Sequence, residues 1–134
     1  MSMSSPSSTQ SALTGSPAAE ILDRSVLDQH LEILGSECVA GIIAKFLDTV
    51  PETVNQIVQA ARDGDLKTLG AQSHKLGSGA VTLGLPALTE LSRSVERLAK
   101  GGEAEAAIAA ATGIAAAVED AFGALRAVLA DLPA

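Results

Sequence analysis

The sequence predicts an all-α fold, an antiparallel up-down four-helix bundle with a short additional N-terminal helix. Three observations carry that prediction. Hydrophobic residues make up 47% of the 134 residues but aromatic ones only 1%, namely Phe46 and Phe122. Strands favour aromatic and β-branched side chains, whereas the abundant Ala and Leu favour helix. Apolar residues also recur at alternating spacings of three and four, the period of a helix with one buried face. Finally, the periodic runs are joined by turns of a few residues, which lays sequential helices antiparallel.

Residues 1–19, MSMSSPSSTQSALTGSPAA, are serine-rich with two prolines and little to bury. They read as a disordered tail ahead of one domain over 20–134. Leu27, Leu31 and Leu34 then predict a short helix ending near Gly35. A longer one starts around Ser36, whose hydroxyl suits an N-cap. Its apolar face runs Val39, Ile43, Phe46, Val50, Val54, Ile57 and Ala61. Pro51 lies inside this pattern and predicts a kink or a break, because it removes a hydrogen bond. Asp63-Gly64-Asp65 is a stop and a start: Gly64 suits a left-handed C-terminal position and Asp65 a cap.

The next helix, closing at Gly84, buries Leu66, Leu69, Ser73, Leu76, Ala80 and Leu83. Pro86 fits the first turn of its successor, whose stripe is Leu88, Leu91, Val95 and Leu98 before Gly101-Gly102. Ile108, Ala111, Ala115, Val118, Phe122, Leu125, Leu129 and Leu132 give the last helix, alternating threes and fours without a slip.

Composition excludes several functions. A formal net charge of −7 lacks the basic patch that binds phosphate backbones or anionic membranes. Neither nucleic acid nor a membrane is therefore expected as a partner. Cys38 is the only cysteine, which rules out an internal disulfide, and a small buried apolar role is expected for it. No stretch approaches about 18 uninterrupted apolar residues, and the N-terminus lacks a secretory pattern. A cytoplasmic monomer is the expectation.

The chemistry centres on Asp65–Gly84. At roughly 100° per residue, His74 projects about 130° from the middle of the apolar stripe, towards solvent. Gly70, Ala71, Gly77 and Ser78, one turn away on its face, are too small to shield it. Each helix-interior glycine costs about 1 kcal/mol relative to alanine, so Gly70, Gly77 and Gly79 require an offset. Either another helix packs closely there, or a partner approaches His74. His30 and His74 are far apart and no Glu-x-x-His pair occurs, so no bound metal or cofactor is expected. Phosphate-loop and kinase signatures are absent, which leaves no ATP site of the chain's own. A lone exposed imidazole, with an unperturbed pKa near 6.5, can accept a phosphoryl group on its free nitrogen; an ordinary surface histidine fits the pattern too.

At these residues the sequence resembles the histidine-containing phosphotransfer (HPt) domain family, over about residues 22–132. The matching features are Phe46 and Pro51 on the preceding helix, Gly64-Asp65, Ser73-His74-Lys75-Leu76, and the small run Gly77-Ser78-Gly79-Ala80 leading to Leu83-Gly84. Leu88 and Val95-Glu96 follow before the Gly-Gly turn. The resemblance implies a phosphoryl carrier rather than an enzyme. His74 would exchange its phosphoryl group with an aspartate of a response-regulator receiver domain, within a relay that includes a hybrid histidine kinase. The receiver would supply Mg²⁺ and the acidic pocket.

Gly70, Ala71, Gly77 and Ser78 would be the floor on which the receiver docks, with Lys67 and Lys75 nearby. One departure stands out. Many members have Lys three residues after the histidine and Gly four after, where this chain has Gly77 and Ser78. Lys67 is on the His74 face but about 10 Å along the axis, and Lys75 points about 100° away. Two other readings fit the same bundle: a degenerate module that docks on a receiver or kinase without carrying phosphate, and a plain helical scaffold.

Overall fold

A computed structural model describes residues 19–133; the serine-rich tail lies, but for Ala19, outside the described residues. These form an all-α fold with helices α1 (Arg24–Leu34), α2 (Ser36–Asp63), α3 (Leu66–Thr82), α4 (Pro86–Lys100), α5 (Ala104–Ala111) and α6 (Ile114–Asp131). Helix α3 packs between α2 and α4, while α5 and α6 pack against both α4 and α2. Among the described residues there is no strand.

The chain's punctuation follows local chemistry. Gly64 takes the left-handed conformation (φ +69°) that only glycine adopts without strain, and Asp65 accepts a hydrogen bond from the Thr68 N–H to cap α3. Pro86 occupies the first turn of α4, where its missing N–H costs nothing.

Helix α2 runs through Pro51 without a break, so of the two outcomes expected there the break does not occur. Other expectations are corrected. Ser36 is already helical and makes no capping bond; Gly35 is the cap residue. The predicted single last helix is interrupted at Thr112-Gly113, between α5 and α6. Of the predicted stripe, Ala111, Val118, Phe122 and Leu125 are buried and Leu129 and Leu132 pack against the core, while Ala115 is exposed. The buried face is wider than predicted and takes in Ala107, Ile114, Ala121 and Val128 as well. Cys38, expected inside, is exposed, as is Leu34 at the end of α1.

The core joins Leu27, Ile43, Phe46, Ile57, Leu69, Leu76, Leu88, Val95 and Leu125 in one cluster. Phe46 meets Phe122 edge to face at 6.0 Å between ring centres, tying α2 to α6. Residues Ala104–Asp131 have the length and apolar composition of a membrane span, with mean hydropathy 1.4 over 18 residues. Within that stretch Ile114, Val118, Leu125 and Val128 are buried, and α5 and α6 pack against α2 and α4.

Candidate functional site

Helices α3 and α4 cross in close contact because α3 offers glycines there. A Cβ on Gly70 would lie 3.5 Å from the Ala99 Cβ, and one on Gly77 would lie 3.3 Å from the Ser92 Cβ. These pairs run in opposite senses along the two helices, so α3 and α4 are antiparallel. On the other side of α3, a Gly79 Cβ would come within 3.0 Å of the Phe46 ring. Helix packing thus offsets the glycine cost. Gly70 and Gly77 are themselves buried, and their first role is the α3–α4 contact.

His74 stands at the edge of that contact with its side chain 64% exposed. Across the crevice, Glu96 of α4 accepts a hydrogen bond from Nδ1 at 2.9 Å. The same Glu96 oxygen, Oε2, accepts one from Lys100 Nζ at 2.6 Å. Hydrogen bonding from Lys100 is the largest influence on Glu96 and holds its carboxyl below the ordinary glutamate range. The bond from His74 acts in the same direction, against the opposing effect of burial. An ionised carboxylate can only accept, which assigns the ring proton to Nδ1 in neutral His74 and leaves the lone pair on Nε2. No hydrogen bond reaches Nε2 among the described residues.

Beside the ring opens a groove of about 630 Å³ lined by Leu66, Lys67, Gly70, Ala71, His74, Ala99 and Lys100. The structure therefore brings His74, Lys67, Gly70 and Ala71 together on one surface. Lys75 and Ser78 are exposed on α3 outside this groove, and Gly77 lies beneath Ser92 and Arg93.

Sequence reasoning missed the contribution of α4. Glu96 entered only as part of a motif, and Lys100 and Arg93 not at all. Their three-and-four spacing on one face of α4 was a readable signal, but nothing in the sequence says which face meets His74. His30 is half-buried and donates from Nε2 to the Thr82 carbonyl at 2.8 Å, pinning α1 to the end of α3. Among the described residues no cluster of His, Cys, Asp and Glu could hold a metal ion.

Fold and site define an all-α domain built around one exposed histidine held by a carboxylate. The Hpt domain family matches residues 41–132, and the chain belongs to that family. Hpt domains are histidine phosphotransfer modules of two-component phosphorelays rather than conventional enzymes, and kinases and receiver domains are their partners. The chain is also 30% identical over 80 residues to the sensor histidine kinase AruS of Pseudomonas aeruginosa, a match covering 60% of this chain and 8% of that kinase. It thus spans a small fraction of that relative's length. No solved structure matches it.

Proposed function

We propose that this protein carries a phosphoryl group on His74 between response-regulator receiver domains, in a relay fed by a hybrid histidine kinase. The observation that carries the reading is the pairing of an exposed ring with a buried-side carboxylate, which frees Nε2 and fixes the ring's orientation. In transfer from a receiver, Nε2 attacks phosphorus while the P–O bond to the receiver's aspartate breaks and that carboxylate leaves as an anion. No proton is lost. The Nδ1–H stays on the ring, and Glu96 stabilises the positive charge that develops there.

Phosphoryl transfer passes through a loose transition state that depends on positioning and on Mg²⁺. A carrier can therefore leave the metal and the acidic pocket to the receiver and needs neither a bound cofactor nor an ATP site. The exposed residues Lys67, Ala71, Lys75 and Ser78, with the groove over Gly70 and the Gly77 contact behind it, support docking on this face. The helix contacts support an antiparallel up-down four-helix bundle, α5 and α6 sharing the fourth place and α1 added at the N-terminus. A cytoplasmic monomer accords with this role.

The test is incubation with Mg²⁺ and phosphorylated receivers, read by intact mass, with a His74→Gln variant alongside. An acid-labile, base-stable addition of one phosphoryl group, lost in the variant, is the expected result. A receiver that binds both proteins equally and phosphorylates neither would overturn the carrier role in favour of a docking module.

A further inference from the structure

A dianionic phosphoryl group on His74 needs cations close by, and the α3 position one turn on is Gly77. That glycine sits close against α4, where a Cβ would lie 3.3 Å from the Ser92 Cβ, and it brings no cation of its own. The cations come from the facing helix instead. Arg93, Glu96 and Lys100 follow one another at spacings of three and four on α4, opposite Gly77, His74 and Gly70 at the same spacings on α3. The Arg93 Cγ lies 3.9 Å from where a Gly77 Cβ would be, and the Lys100 Cγ lies 3.9 Å from where a Gly70 Cβ would be. Each glycine thus gives passage to the stem of one cationic side chain. Both cations are exposed, and they flank the carboxylate that holds the ring. Lys100 is engaged by Glu96 at 2.6 Å. Arg93 has no ion-pair partner among the described residues.

We propose that Arg93 and Lys100, both from α4, form a split cation pair that holds the phosphoryl group on His74. The inference rests on the carrier reading above. In the free protein Lys100 neutralises Glu96; once Nε2 carries phosphate, Lys100 turns to the phosphoryl oxygens from one side and Arg93 meets them from the other. The imidazolium formed on transfer then takes over as the partner of Glu96, so the carboxylate is never left unpaired.

Phosphoramidate tests this without a receiver. Its P–N bond breaks as the Nε2–P bond forms, and ammonia leaves with the protons it already carries. The second-order rate is followed by intact mass across a series of salt concentrations. The wild type is expected to slow as salt screens the cations. The Arg93→Gln/Lys100→Gln double variant should react about five-fold more slowly at low salt, the scale of two exposed charge pairs. It should also lose most of the salt dependence, which a purely structural role would not touch. The charge-keeping Arg93→Lys/Lys100→Arg protein should retain that dependence. A double variant with the wild-type rate and salt profile overturns the cation pair while leaving the carrier reading intact. A wild type that takes no phosphate at His74 overturns both.

Discussion

The two ends of α3 are built in opposite ways. At its C-terminal end the chain is locked. Gly84 has φ +71°, and a Cβ there would meet the Asp23 carbonyl and the Val26 Cβ, each at 2.8 Å. The N-terminal segment is laced over this turn by hydrogen bonds from the Asp23 N–H to the Gly84 carbonyl at 2.7 Å and from the Ala87 N–H to the Glu20 carbonyl at 2.9 Å. The His30 ring clasps Thr82 beside it. Towards the N-terminal end, Gly70 has only ordinary contacts of 3.5 Å and longer, and a groove opens over it. Rigidity sits where the helix is anchored and space beside the exposed His74 ring, and glycine serves both through different properties: its backbone freedom in one place, its lack of a side chain in the other.

The sharpest way to break that contrast is Gly84→Ala. A left-handed alanine and a backbone oxygen that cannot yield should together cost about 3 kcal/mol, read by urea unfolding. A loss below about 1 kcal/mol would show that the turn is not locked. Glu96→Ala should come next. It removes the acceptor that fixes the His74 ring, and a charge-assisted hydrogen bond of this kind corresponds to about a tenfold loss of phosphorylation rate. Nitrogen NMR of the imidazole should show the Nδ1–H form losing its dominance in the same variant; an unchanged tautomer would remove Glu96 from its positioning role.

Gly79→Ala places a Cβ 3.0 Å from the Phe46 ring, which is itself wedged against Phe122. The strain should exceed the helix-propensity gain and leave a net loss of about 1 kcal/mol. Gly70→Ala reverses the sign: its new Cβ meets only ordinary contacts, so the protein should gain about 0.5–1 kcal/mol. If the two substitutions had equal effects, the distinction between a tight and an open end would fail.

Much of this architecture was legible in the sequence because helices announce themselves through period, cap and turn. Asp65, Gly64, Pro86 and the Gly101-Gly102 turn act as their chemistry requires. The misreadings share a cause. Local signals were weighed without the packing that decides among them: Ala-rich α5 and α6 present apolar atoms in every direction, so Ala115 looked as fit for the core as Ile114 and Val128, which are the ones buried. His74 was visible as an exposed residue on a helix with small neighbours. Its partner was not, since Glu96 reaches it, with Lys100 behind Glu96, only through the register of α3 against α4. That register is set by which side chains fit over Gly70 and Gly77.

The smallest expected effect separates the two carboxylates nearest the open end. Thr68, through its hydroxyl and its backbone N–H, holds the Asp65 carboxyl below the usual aspartate range, as Lys100 holds that of Glu96. A carboxyl lowered in the folded state stabilises the protein fully above its unfolded pKa, about 3.9 for Asp and 4.3 for Glu, and that stabilisation is lost as pH falls through the lower folded value. Stability should therefore fall between about pH 4 and the lower folded values. Asp65→Ser keeps a capping oxygen but cannot titrate, so neutral stability should survive while part of the acid decline disappears. Glu96→Gln should remove the other part and also disturb His74. If Asp65→Ser instead lost stability equally at every pH, the cap would depend on the full charge of the carboxylate acting on the start of α3, rather than on a hydrogen bond that serine can replace.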